Sequence, residues 1–158
     1  MKSAEQIIKL LNLKPHPTEG GYFTESYRSK ETQPDGRSLS TAIYYLLTPN
    51  TFSALHRLRG DEIWHFYFGD PIEMLQLHPN GEGKILIISN EINETSSPQV
   101  LVPAGVWQGS RLRQGGKLAL LGTTMAPGFE FKDYEAGSRT ELIKQYPNYS
   151  DLIKILTI

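Results

Sequence analysis

No cysteine occurs in the 158 residues. Disulfides, thiolate nucleophiles and zinc–thiolate centres are therefore excluded together. Neither sign of charge is in excess: 16 Lys and Arg face 17 Asp and Glu, a formal net charge of −1. That balance gives no electrostatic argument for DNA, RNA or an anionic membrane as a partner. No run of like charges marks a tail, and no apolar run approaches the roughly 20 residues of a membrane span. The opening stretch, MKSAEQIIKLLNLK, is amphipathic without the apolar core and cleavage site of a signal peptide. Walker loops, Gly-x-Ser-x-Gly elbows and dinucleotide-binding glycine fingerprints are missing, so ATPase, hydrolase and dehydrogenase readings have no support. The expectation is a soluble, cytoplasmic protein of one domain over residues 1–158, long enough to own a core.

Ser3 with Gln6 forms a capping box, and Ile7, Ile8, Leu10 and Leu11 continue it as a helical stripe over about residues 3–12. The prolines of KPHP stop that helix. From about 21 to 134 short β-rich runs alternate with turn signals: GYFTESY, LSTAIYYLL, EIWHFYF, IEMLQL, KILIIS, QVLVP and KLALLGTTM. Asp35-Gly36, Asn80-Gly81 and Gly115-Gly116 are the strongest two-residue turn candidates. Ser138 with Glu141 opens a second helical region over about 138–156, interrupted at Pro147. The pattern predicts an all-β domain, sandwich or barrel, with short terminal helices.

The chemistry concentrates in HRLRGDEIWHFYFG, residues 56–69. His56 and Glu62 are separated by an Arg-Gly-Asp turn between two β-like pieces, which lets antiparallel strands aim both side chains at one spot. Alternation sets Glu62, Trp64, Phe66 and Phe68 on one face and Ile63, His65 and Tyr67 on the other. If Glu62 points inward, His65 points away. His16, between two prolines, and His78, beside a hairpin turn, read as surface residues. Trp64, Phe66 and Trp107 are each explained by core packing; as a group beside His56, Glu62 and Gln108 they suggest an aromatic pocket. Glu19, Tyr22, Tyr27 and Arg28, near the Gly20-Gly21 bend, are candidates for its rim. Arg28 could grip a phosphate or pair with a surface carboxylate.

His56, Glu62, Gly69, Pro103 and Gly105 follow a His-x5-Glu-x6-Gly and Pro-x-Gly spacing that resembles the two motifs of the cupin superfamily. The longer strings HPTEGGYFTESYRS, STAIYYLL, HRLRGDEIWHFYFGDP, VPAGVWQ and APGFEFKDYE resemble the cupin 5 family, formerly a domain of unknown function, across roughly residues 15–147. The resemblance implies a double-stranded β-helix, or jelly-roll barrel, paired as a homodimer. It implies little about reaction, because cupins host oxygenases, isomerases, epimerases and binders. Three positions depart from the superfamily pattern: Leu58 stands at the second histidine, Gln108 at the last histidine, and Leu112 at the asparagine.

Those departures bear on metal. His56 and Glu62 remain as strong ligands, Leu58 cannot ligate, and Gln108 offers a neutral amide oxygen. No cofactor is expected, and any divalent metal held by His56, Glu62 and Gln108 is expected to be weakly bound. The leading reading is a small-molecule binder for a sugar nucleotide or similar polar aromatic metabolite, with Glu19, Arg28, Trp64, Phe66, Trp107 and Gln108 as contacts. A second is a metal-free epimerase or isomerase with His56 as base, aided by Glu62, and Tyr22 or Tyr44 as acid. A third is a metal-dependent dioxygenase or isomerase. A fourth leaves the barrel filled by its own side chains.

Overall fold

The computed structural model describes all 158 residues. A short helix, α1 (Ala4–Leu10), leads into twelve strands: β1 (Lys14–Pro15), β2 (Tyr22–Arg28), β3 (Thr41–Leu47), β4 (Phe52–Arg57), β5 (Glu62–Gly69), β6 (Ile72–Leu77), β7 (Gly83–Ile88), β8 (Ser96–Ser97), β9 (Gln99–Val102), β10 (Trp107–Leu112), β11 (Ala119–Met125) and β12 (Glu135–Ala136). Two helices, α2 (Arg139–Gln145) and α3 (Ser150–Ile155), close the chain. α1 begins where expected: the Ser3 hydroxyl accepts the Gln6 N–H while the Gln6 side chain accepts the Ser3 N–H.

The strands form two six-stranded sheets, ordered β1-β2-β3-β11-β5-β9 and β12-β4-β10-β6-β7-β8. All pairings are antiparallel except β7 with β8. The architecture is a jelly roll, the all-β class expected. One detail differs: β4 and β5 do not pair. The chain passes through the Arg59-Gly60-Asp61 turn from one sheet to the other, so His56 and Glu62 meet across the barrel instead of along a hairpin.

Period-two alternation builds three apolar clusters. Inward-facing Tyr45 and Leu47 (β3), Trp64 (β5), Ile72 and Met74 (β6) and Leu121 (β11) fill the space between the sheets at one end. Their neighbours face outward. Leu46 and Leu120 are covered by Ile7 of α1, and Leu75 and Leu77 by Leu142, Ile153 and Leu156 of the C-terminal helices. Each sheet therefore has both faces covered over much of its area, which accounts for runs such as IEMLQL that do not alternate by hydropathy.

Bulges break the alternation at two informative places. In β4, Gln108 pairs with His56 but Ser110 pairs with Ser53, so β4 carries one extra residue between them. Ser53 and His56, three apart, thereby face the same interior. In β5, Leu121 pairs with Phe66 and Leu120 with Phe68, which leaves Tyr67 as the extra residue. Phe68 consequently turns outward beside Leu10, Leu11 and Tyr44, contrary to the expectation from strict alternation.

Candidate functional site

The end of the barrel left unfilled by the core holds a cavity of about 340 Å³. Its floor is polar: Glu19, His56 and Glu62 are buried, and the His16 side chain is 5% exposed. Its walls are Phe23, Ile43, Leu58, Met125, Phe129, Phe131 and Tyr134, and Lys14, Glu25 and Arg28 also border it.

Glu19 reaches the floor because Gly20 and Gly21 turn the chain with φ of +97° and +70°. A Cβ on Gly20 would lie 2.3 Å from the Phe52 carbonyl oxygen, so only glycine fits. The Tyr45 hydroxyl donates to the Gly20 carbonyl at 2.5 Å and fixes the bend. Ser53, turned inward by the β4 bulge, donates to Oε1 of Glu19. The second oxygen, Oε2, lies 3.7 Å from Nε2 of His16 and 3.8 Å from Nε2 of His56.

The backbone assigns both imidazole tautomers. Nδ1 of His56 lies 2.7 Å from the Ala54 carbonyl oxygen, which can only accept, so Nδ1 carries the proton. Nε2 is left with its lone pair facing the cavity. His16 is the reverse: its Nδ1 accepts the N–H groups of Thr18 and Glu19, at 3.3 and 3.0 Å, so Nε2 carries the proton toward Glu19. Burial pushes the pKa of both imidazoles down; the Glu19 charge opposes this at His16, and the Glu62 charge opposes it at His56. Burial also raises the pKa of both carboxyl groups, and at Glu62 the proximity of Glu19 raises it further. Tyr134 stacks on His56 with centroids 5.0 Å apart and planes inclined at 13°. Its hydroxyl, which finds no hydrogen-bond partner, is raised to about 12 by burial and by Glu19.

His56, Glu62 and Gln108 come together, but not as equals. Gln108 is the cross-strand partner of His56 and lies behind Glu62. Its amide donates to Oε1 of Glu62 at 2.9 Å and its oxygen accepts the Trp64 indole N–H at 2.8 Å. Both ends are thus committed, and Gln108 does not border the cavity.

Several expected contacts lie elsewhere. Tyr22 and Tyr44 face outward against the α1 cluster, because Phe23 and Tyr45, their strand neighbours, take the inward positions; neither can serve as an acid in this cavity. Trp64 is core, edge-on to Tyr45, and Phe66 packs on the same cluster. Trp107 packs against the C-terminal helices with the Arg57 guanidinium 4.5 Å above its ring. Arg28 stays at the cavity, bonded to Glu25 at 2.7 Å and to the Phe129 carbonyl at 2.9 Å. His65 points away from the barrel interior and meets Thr124 at 2.9 Å.

His16, read as a surface residue, is instead part of the floor, held by Pro15 in β1 pairing with Tyr22. The aromatic walls come from Phe23 and from the segment Phe129–Tyr134. That segment belongs to the string APGFEFKDYE, which carries the family resemblance but folds as a 3-10 turn and loop over Phe131–Asp133, without a strand period that would give its rings a face. His78 is not freely exposed either: its Nε2 is buried without a partner.

Comparison with known proteins gives the family context. The chain matches the family described as Cupin superfamily (DUF985) over residues 5–137. It is 28% identical over 149 residues to the uncharacterized protein YML079W of Saccharomyces cerevisiae, covering 84% of this chain and 74% of that one. The crystal structure of protein SO0799 from Shewanella oneidensis is similar throughout, with 35% identity, a TM-score of 0.92, and coverage of 100% and 99%. Oxalate decarboxylase of Bacillus subtilis shares 14% identity at a TM-score of 0.59, covering 92% of this chain and 37% of the enzyme, which is a likeness of fold. That enzyme is described with Mn(II) centres. The donors here do not fit such an ion well. Leu58 occupies one ligand position, the Gln108 oxygen is spent on Trp64, and the His16 lone pair is spent on backbone N–H groups. No group of three or more His, Asp or Glu side chains has metal-binding spacing.

Proposed function

The chain belongs to the cupin 5 family, and we propose that it binds a small metabolite inside its jelly-roll barrel. The observation that carries this reading is the cavity itself: about 340 Å³ lined by aromatic rings, with His56, Glu19 and Glu62 at its floor. Apolar walls around a few convergent polar groups are the usual form of a small-molecule site. A barrel filled by its own side chains would leave no such space.

A polar aromatic metabolite suits the cavity better than a sugar nucleotide does. Phe23, Phe129 and Phe131 offer ring surfaces, whereas the bordering Arg28 is paired with Glu25 and Glu130 and Glu19 and Glu62 lie at the floor, so a diphosphate meets no net positive cradle. The test is native mass spectrometry of gently purified protein, followed by thermal-shift titration with planar polar metabolites and sugar nucleotides. At a ligand concentration of about 100 Kd the stabilisation is about 2.7 kcal/mol. No co-purifying mass and no shift with any compound would refute the binding role.

A second reading, metal-free proton transfer of the isomerase or epimerase type, is favoured by one feature. The His56 lone pair faces the cavity, as a general base requires. With Tyr22 and Tyr44 facing outward, the acid would be Glu19 or Glu62, both held toward the neutral form by burial. Solvent deuterium exchange into the bound metabolite would separate this from passive binding.

The proposed binder is a homodimer. Leu10, Tyr67 and Phe68 are exposed together on the outer face, and light scattering should return twice the chain mass. A cytoplasmic location suits a chain without cysteine. No helix is long and apolar enough to cross a membrane.

A further inference from the structure

We propose that the cavity is a site for an organic cation: its occupant turns an ammonium- or amidinium-type group toward Glu19 and Glu62 and rests its hydrocarbon body on Phe23, Phe129 and Phe131. The proposal depends on the ligand-binding reading above and specifies the charge of the ligand.

The donors and acceptors of the floor are unequal. Glu62 has one oxygen bonded to Gln108 and takes part in no salt bridge. Glu19 has one oxygen bonded to Ser53 and a second facing the two imidazoles at 3.7 and 3.8 Å, beyond hydrogen-bond length. His56 is 2% exposed and presents a bare lone pair. Against these acceptors the nearby donors are the His16 Nε2–H, already directed at Glu19, and the uncharged hydroxyls of Thr123, beside Glu62, and Tyr134; none brings a fixed positive charge. An ammonium or amidinium group is rich in donors and has no acceptor, which is the complement of this arrangement. A carboxylate or phosphate would meet two carboxyl groups and a lone pair.

The cations of the chain do not satisfy the floor. Lys14 is exposed, and the Arg28 guanidinium is given to Glu25 and the Phe129 carbonyl. Two buried carboxyl groups are therefore left without a fixed positive partner, which a protein resolves by protonating them or by binding a cation. The walls add to the second course, since aromatic faces attract cations. Binding should also move protons. The groups around Glu19 and Glu62 are His16, His56, Tyr45 and Tyr134, and burial favours the neutral form of the carboxyls, the imidazoles and the phenols alike. A bound cation favours the carboxylates, so protons leave and affinity rises with pH.

The experiment is isothermal titration of the intact protein, in chelator, with three probes of one shape: benzamidine, benzyl alcohol and benzoate. Benzamidine should bind about ten- to a hundredfold more tightly than benzyl alcohol, and benzoate most weakly. Benzamidine binding should tighten as pH rises above the ordinary carboxylate range and release protons to the buffer. Glu62→Gln, which keeps the acceptor for Gln108, should weaken benzamidine about tenfold or more and benzyl alcohol by a clearly smaller factor, because the alcohol loses no charge pairing. If that variant does not fold, the pH dependence and proton release in the natural chain decide the matter. Benzyl alcohol or benzoate binding as well as benzamidine would overturn the cation assignment and leave the cavity reading standing. Failure of all three probes at millimolar concentration would count against both.

Discussion

Replacing Gln108 by leucine probes the link between core and site. Leucine is close to glutamine in size, so packing is largely kept and the loss is polar. Gln108 is 1% exposed, and both of its amide atoms are engaged. The substitution strands the Trp64 indole N–H in a core that water does not reach, at a cost of about 1–3 kcal/mol. It also deprives the buried Glu62 carboxyl of its donor, for roughly another 1–2 kcal/mol. Urea denaturation at neutral pH should therefore show Gln108→Leu less stable by about 2–5 kcal/mol, with an unchanged denaturant slope. The second variant, Trp64→Phe, removes the indole donor. In the double variant no stranded N–H remains, so its loss should fall short of the sum of the two single losses by about 1–2 kcal/mol. A loss below about 0.5 kcal/mol for Gln108→Leu, or strict additivity, would refute the claim that Gln108 ties Trp64 to Glu62.

Gly20→Ala should cost at least about 2 kcal/mol, read from thermal melts, because it combines positive φ with a clash against the Phe52 carbonyl; a melting point close to that of the natural chain would contradict the bend as described. Stability should depend on pH through two opposing groups. Unfolded imidazoles take protons near 6.5 while buried His16 and His56 resist, so their contribution is full above that value and is lost as pH falls. Unfolded carboxyls ionise near 4.5 while Glu19 and Glu62 stay protonated longer, so their contribution is lost as pH rises through the folded values. Denaturation curves from pH 4.5 to 8 should thus rise more steeply with pH for Glu62→Gln than for the natural chain, and less steeply for His56→Phe; identical slopes would reject the buried ionisation scheme. Protein purified without added metal should contain well under one equivalent of transition metal, and its ligand should still bind in chelator. Stoichiometric metal whose removal abolishes binding would reverse that reading.

The fold was legible because its signals are local. Gly and Asn-Gly turns, a capping box at Ser3 and β-branched runs between them dictate strands and helix ends from neighbours in sequence. The pair His56 and Glu62 was legible from spacing. What was not legible followed from single-residue bulges. An extra residue in β4 brings Ser53 to the face of His56, and one in β5 sends Phe68 to the outside, so strict alternation assigns both wrongly. The tyrosines failed for a related reason: in TAIYYLL both Tyr44 and Tyr45 suit either face, because each sheet is covered on both sides. His16 was hidden by its prolines, which suggested a loop while one of them pairs in β1.

The passage of the chain between sheets at Arg59-Gly60-Asp61 has a mechanical consequence. His56 hangs from one sheet and Glu62 from the other, and Leu58 lies between them on the cavity wall. A guest that grips both side chains acts as a strut across the open end of the roll, where no apolar core joins the two layers. Its effect on backbone opening would not stop at the residues it touches. Strand β10, which pairs with β4, and strand β9, which pairs with β5, would share the load. Amide hydrogen exchange should then slow in both strands together on binding, and a guest anchored to one sheet alone would protect only that side.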